Sequence, residues 1–261
     1  MSASVIEPAL AELADWNVMD VNVRIGPSGI HGHLALDKND LLREMDRFGI
    51  NTAVVSHFTA EEYDAVEGNS GLECEVDPRF VPAWAALPDA FSIQSVSARK
   101  PLVARIYCGP SRHNFSTARW CSGFLFEYLQ QYSILTLISL EEFHSTSAFL
   151  GWEVLKTLLS NFPHLPVALL DLGYRSDRYL FPLLERFPTL HFDCSTYSAA
   201  HRQLEATVEG FGAERILFGS RLPLYTPGAP LAVLLTARIP DSARRAIAGG
   251  NLRRLLHRGE A

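Results

Sequence analysis

A (β/α)8 barrel is the fold this chain predicts, and three observations predict it. Eight short apolar or β-branched runs recur along the 261 residues, segments of helical period separate them, and no G-x-G-x-x-G follows the first run. That missing fingerprint demotes the runner-up, a doubly wound open sheet. The expectation is a closed or distorted barrel in one domain over 1–261, with 1–17 as an N-terminal extension.

The strands are read, in order, in VMDVNVRI (18–25), NTAVVSH (51–57), FVPAWAAL (80–87), LVARIYC (102–108), SILTLIS (133–139), PVALLDL (166–172), LHFDC (190–194) and RILFGS (215–220). Each is four to eight residues of β-formers bounded by turn residues. Helical spacing is read over 40–49, 118–132, 152–162, 179–187, 199–212 and 242–256, and over 74–79 with its preceding turn. Two junctions repeat one pattern: Asn161-Phe-Pro-His-Leu-Pro166 and Arg186-Phe-Pro-Thr-Leu-His191 each end a helix and launch a strand. Proline stops the helix because it has no N–H and fixes φ.

Bulk properties narrow the function. With 48% apolar and 20% charged residues the chain can bury one large core. A net charge of −6 and a pI near 5.8 leave no basic footprint for nucleic acid or an anionic membrane. Cys74, Cys108, Cys121 and Cys194 are scattered and form no C-x-x-C, so they read as reduced thiols. The N-terminal stretch carries acids and lacks the basic and apolar blocks of a secretion signal, and no apolar run reaches the roughly 18–20 residues of a membrane span. A cytoplasmic protein is expected.

Five motifs, taken together, resemble the amidohydrolase-related (amidohydrolase 2 type) barrel family: M-D-V-N-V-R-I-G (19–26), L-L-R-E-M-D-R-F-G-I (41–50), N-F-P-H-L-P-V (161–167), E-R-I-L-F-G-S-R-L-P (214–223) and I-A-G-G-N-L-R-R-L-L (247–256). They span residues 18–256 in barrel order. The resemblance implies a hydrolase-like barrel with one or two divalent metals at its C-terminal mouth. Their ligands would be an H-x-H on strand one, histidines ending strands five and six, and an aspartate after strand eight. At those positions this chain has Asn22 and Arg24, Ser139, Asp171, and Arg221. A guanidinium has no lone pair for a metal and repels a dication, so the expectation is a degenerate member with no metal and no cofactor.

Arg24, Arg221 and Asp171 sum to +1, close to what a one-metal site carries. The mouth is therefore expected to hold an anion between the two arginines with Asp171 bridging them, and Asn22 and Ser139 beside it. A closed salt-bridge plug is the competing expectation. Asp171 and His57, at the end of strand two, are the candidates for moving a proton. His31 and His33 form an H-x-H outside strand context, and Glu141 and Glu142 read as the cap of the next helix. Arg105, Tyr107, Arg112 and His113 are candidate anion contacts around strand four. Ser139 lacks a G-x-S-x-G setting for a nucleophile.

Two function classes follow. The first is a non-catalytic barrel, a pseudoenzyme that binds a small anion or partners an active subunit. The second is a metal-independent hydrolase, lactonase or decarboxylase acting on a small carboxylate. The partner is a small anionic molecule or another subunit, and both a homo- and a hetero-oligomer stay open.

Overall fold

The computed structural model describes residues 13–257 apart from 14 and 144–147, so most of the expected N-terminal extension lies outside the described residues. Eight parallel strands follow one another in spatial order: β1 (Val18–Ile25), β2 (Ile50–His57), β3 (Phe80–Ala85), β4 (Val103–Ile106), β5 (Leu135–Ser139), β6 (Val167–Leu170), β7 (Leu190–Asp193) and β8 (Ile216–Leu217). The residues after β8 return to β1, through Val21 N–H to Phe218 O at 3.0 Å and Arg24 N–H to Leu222 O at 2.9 Å. The sheet thereby closes, and the barrel expected from strand-helix alternation is the fold observed.

Helices form where capping and period agree. Between β1 and β2 lies α1 (Lys38–Phe48), which starts where Asp37 accepts from Asp40 N–H and stops at Gly49, whose φ of 67° suits a residue without Cβ. After β2 come α2 (Phe58–Glu62) and α3 (Ala65–Cys74), the latter capped by Asp64. This corrects the helix expected over 74–79: Cys74 ends α3, and Asp77 accepts from Arg79 N–H in the turn that launches β3. Then follow α4 (Ala90–Arg99), α5 (Arg119–Gln131), α6 (Ala148–Asn161), α7 (Asp177–Arg186), α8 (Gln203–Phe211), α9 (Gly228–Thr236), α10 (Asp241–Arg245) and α11 (Asn251–His257).

Two further boundaries differ from expectation for local reasons. The helix expected from 199 starts at Gln203, because Arg202 sits at φ 59° and breaks the turn before it. The strand expected over 215–220 ends at Leu217, because Phe218 N–H turns to Ile247 O and Ser220 N–H to the Asp20 side chain. No helix among the described residues is long and apolar enough to cross a membrane.

Strand alternation divides the core in two. One set, including Met19, Val21, Val103, Leu137, Leu170 and Leu217, packs inside the barrel with Leu252, Leu255 and Leu256 of α11 closing its lower end. The outer set, including Val18, Ile25, Ala104, Ile106 and Leu169, packs under the helices. Above the apolar interior, the inward-facing positions turn charged, and that layer is the candidate site.

Candidate functional site

Four of the five residues singled out by the motif resemblance are linked at the C-terminal mouth, three by hydrogen bonds and Arg221 by an ion pair. Asn22 Nδ2 donates to Asp171 Oδ1 at 2.9 Å, Arg24 Nη1 donates to Asn22 Oδ1 at 3.1 Å, and Arg221 Nε lies 3.3 Å from Asp171 Oδ1. The fifth, Ser139, sits beside Asp171 and accepts from Glu141 N–H at 3.2 Å. Asp171 follows β6 directly, Arg221 lies four residues past the end of β8, and they hold φ near 61° and 63°. Non-glycine residues in that region cost about 1–3 kcal/mol and concentrate at functional sites.

The expected bridge, Asp171 between two guanidiniums, is half formed. Arg24 takes a different carboxylate: its Nε donates to Glu61 Oε2 at 2.5 Å, and it reaches Asp171 only through Asn22. Glu61, on α2, spans two arginines, since its Oε1 also meets Arg112 Nη2 at 2.8 Å. Arg221 is held by Asp171 and by Glu141, whose Oε2 lies 2.6 Å from Nη2. Glu141 and Glu142 thus have partners beyond a helix end. They lie in the 3-10 turn Leu140–Phe143, and Glu142 accepts from Gly109 N–H at 2.6 Å.

Burial and charge set the ionisation of this layer. Burial pushes Asp171 up, but Arg24, Arg221 and Arg105 together outweigh it and hold the carboxylate below its usual range. Directly behind it, Asp193 is pushed up by burial and then by the charge of Asp171, while accepting from Asp171 N–H at 3.0 Å and Asn22 Nδ2 at 3.3 Å. Glu61 is likewise lowered, burial being overcome by Arg24, Arg105 and Arg112. Burial raises Glu142 to about 7 and Asp20 to about 6, the latter accepting from Asn22 N–H and Ser220 N–H.

His57 is placed apart from this network. Its Nδ1 accepts from Thr59 N–H as the cap of α2, and burial lowers its pKa. Its ring fills the space between Gly26 and Gly71: a Cβ on Gly26, at φ 85°, would sit 2.1 Å from Nε2. His31 packs on Phe58 and His33 lies in the 3-10 turn Gly32–Leu34. A His113 ring nitrogen meets Ala60 O at 2.7 Å, which ties the loop after β4 to α2.

Glu61, Asp193 and Asp20 were not among the expected site residues. Asp193 had the same signal as Asp171, an acid ending an apolar strand, whereas Glu61 lies in a short helix whose sequence carries no mark of where it points. A cavity of about 140 Å³ opens above the layer, lined by Arg24, Glu61, Arg112, Ser139, Glu141 and Glu142 among others.

The five positions do not suit a divalent metal. Two are guanidiniums and one is an amide already bonded on both of its polar atoms. Among the described residues, no group of three or more His, Cys, Asp or Glu side chains is disposed to hold a metal ion.

No protein-family model matches the sequence, and no curated protein matches it. Solved structures do match in fold. An uncharacterized TIM-barrel protein, Bb4693 from Bordetella bronchiseptica, superposes with a TM-score of 0.74 at 15% identity, covering 94% of this chain and 99% of that one. The 5-carboxyvanillate decarboxylase LigW from Sphingomonas paucimobilis gives 0.68 at 13% identity, covering 93% and 99%. A dihydroxybenzoic acid decarboxylase from Polaromonas, solved with bound manganese and the inhibitor 2-nitroresorcinol, gives 0.70 at 15% identity, covering 94% and 98%. At these identities the likeness establishes a shared barrel architecture.

Proposed function

We propose that this barrel is a metal-independent enzyme acting on a small carboxylate, a decarboxylase or a hydrolase of the lactonase kind, and a degenerate relative of the amidohydrolase-related barrels. The observation that carries the reading is Asp171. It is a strand-end carboxylate held ionised by arginines, it lies fully buried next to Ser139, which lines the cavity, and its Oδ2 accepts from no residue at hydrogen-bond distance. The strained backbone of Asp171 and Arg221, and the decarboxylases among the structural neighbours, favour this reading over the non-catalytic barrel expected first.

In this site Asn22 and Arg221 fix Asp171 through Oδ1 and leave Oδ2 to exchange a proton with a bound substrate. For a lactone, Asp171 would take the proton of an attacking water. For an aromatic acid it would take the proton of a substrate hydroxyl and return it to the ring carbon as the C–C bond to the carboxylate breaks and carbon dioxide leaves, so that the hydroxyl is restored by a proton from water. His57 has no part in either step, because its ring is committed to capping α2.

The test is turnover of 2,6-dihydroxybenzoate, 5-carboxyvanillate and 2-pyrone-4,6-dicarboxylate, followed by carbon dioxide release and by lactone absorbance, before and after treatment with a chelator. Turnover that survives the chelator and falls at least about 100-fold in Asp171→Asn is the expected result. Turnover that appears only on adding manganese, or that is unchanged in Asp171→Asn, would overturn it.

A further inference from the structure

The arginine with the fewest protein partners in this layer is Arg105 on β4. Val103 packs inside the barrel while Ala104 and Ile106 pack outside, so Arg105 and, beyond the strand, Tyr107 continue the inward face. Arg105 is 1% exposed, and its guanidinium carbon lies 5.3 Å from the centre of the Tyr107 ring. Its Nε and Nη2 have no hydrogen-bond acceptor, and the Tyr107 hydroxyl has only the Ser56 side chain beside it.

The surrounding acids do not supply one, although Glu61, Glu142 and Asp171 all feel the Arg105 charge. The two Glu61 oxygens are taken by Arg24 and Arg112, Glu142 Oε2 by Gly109 N–H, and Asp171 Oδ1 by Asn22 and Arg221, while Asp171 Oδ2, itself unpartnered, makes no hydrogen bond to Arg105. A buried cation left without acceptors is costly, and such groups in native proteins call for an explanation. The chemistry of the orphaned atoms supplies it. Nε–H and Nη2–H form one edge of the guanidinium, and two parallel donors on one edge match the two oxygens of a carboxylate. The tyrosine hydroxyl adds a third donor on the same inward face. Glu61 and Glu142, both close enough to feel the Arg105 charge, also line the 140 Å³ cavity, which brings that cavity next to the surroundings of Arg105.

We infer that Arg105, with Tyr107, is the seat of the substrate's carboxylate, reached from the cavity between Glu61 and Glu142. This deepens the function proposed above and rests on its carboxylate substrate. It also moves the anion site away from Arg24 and Arg221, whose guanidiniums are paired with Glu61 and with Asp171 and Glu141.

The experiment is thermal shift and calorimetric titration with benzoate and acetate as probes, and chloride as the control, on wild type, Arg105→Met and Arg105→Lys. Wild type should gain thermal stability with either carboxylate and not with chloride. Arg105→Met should melt at or above the wild-type temperature, because a buried charge without partners has gone, and should lose the carboxylate response. Arg105→Lys should fold and bind benzoate at least 10-fold more weakly, since an ammonium cannot present a two-donor edge; it decides the matter should the methionine variant fail to fold. The inference falls if wild type ignores both carboxylates, if Arg105→Met keeps the response, or if Arg105→Lys binds as well as wild type. Failure of the seat and failure of the enzyme stay separable. Turnover with an unchanged KM in Arg105→Met would remove the seat alone, and carboxylate binding lost in Arg105→Met without any turnover in wild type would remove the enzyme alone.

Discussion

Asp171 and Asp193 stand back to back, and only one of them has cations to face. Asp171 is ionised against Arg24 and Arg221, and Asp193, wholly buried, is pushed toward its neutral form partly by that charge. Removing the first charge therefore releases the second. In Asp171→Asn, Asp193 should ionise at lower pH than before and restore a negative charge near the arginines. The single variant should thus cost less than the roughly 3–5 kcal/mol expected for breaking a buried pair. Asp171→Asn/Asp193→Asn should cost more than the sum of the single variants, by about 1–3 kcal/mol in a double-mutant cycle from denaturant titrations. Additive costs would show that the two carboxyls do not share a charge. Asp171 was singled out in the sequence by resemblance to a motif position at the end of strand six. Asp193 was not, because an acid ending a strand is ordinary until the fold sets it behind another acid.

At the scale of elements, the eight strands were legible to within three residues at either end and the chemistry of the loops was not. Apolar runs bounded by turn residues reveal strands through local pattern, and β1 has the expected bounds, Val18–Ile25. What joins Glu61 of α2 to Arg24 of β1 and Arg112 of the β4 loop is barrel closure, which no local pattern encodes. Four helices, α2, α3, α4 and α9, were not anticipated; α3 and α4 have plain N-caps in Asp64 and Asp89, and α9, nearly all apolar, lacks a polar stripe. The last helical segment is broken where Ala246–Gly250 forms a π turn, and the reason lies in packing. A Cβ on Gly249 would stand 2.4 Å from Asn17 O and 3.2 Å from Met19, at the foot of β1. Gly249→Ala should therefore destabilise by about 1–3 kcal/mol, as overpacking does, by forcing α11 away from the barrel floor. Its response to benzoate should match wild type, because the mouth lies at the other end. A stability equal to wild type in urea titration would show that the π turn yields freely.

For the whole molecule, the buried carboxyls fall into two groups with opposite effects on stability. Glu61 and Asp171 have lowered pKa values, so their contribution is complete above the ordinary carboxylate range, 3.8 to 4.5, and is lost as pH falls below it. Asp20, Glu142 and Asp193 are raised, Asp20 to about 6 and Glu142 to about 7, with burial the leading cause in each. The folded state then binds protons that the unfolded chain has released, so their contribution is complete at the acid end and is lost as pH rises through 6 to 7. His57 works the other way, since its lowered pKa makes the fold more stable as pH rises through the range near 6.5. Three raised carboxyls oppose one lowered histidine, so the sum should favour acid over neutral conditions. Thermal melts are expected to show highest stability near about pH 5, a decline toward pH 7.5, and a steep fall below about pH 4. Glu142→Gln keeps an acceptor for Gly109 N–H and removes one of the raised groups, so it should flatten the decline between pH 5 and 7.5 without shifting the acid limb. A wild-type melting temperature that climbs steadily from pH 5 to 7.5 would mean that these carboxyls are ionised in the folded protein. The mouth would then carry too much negative charge to admit a carboxylate.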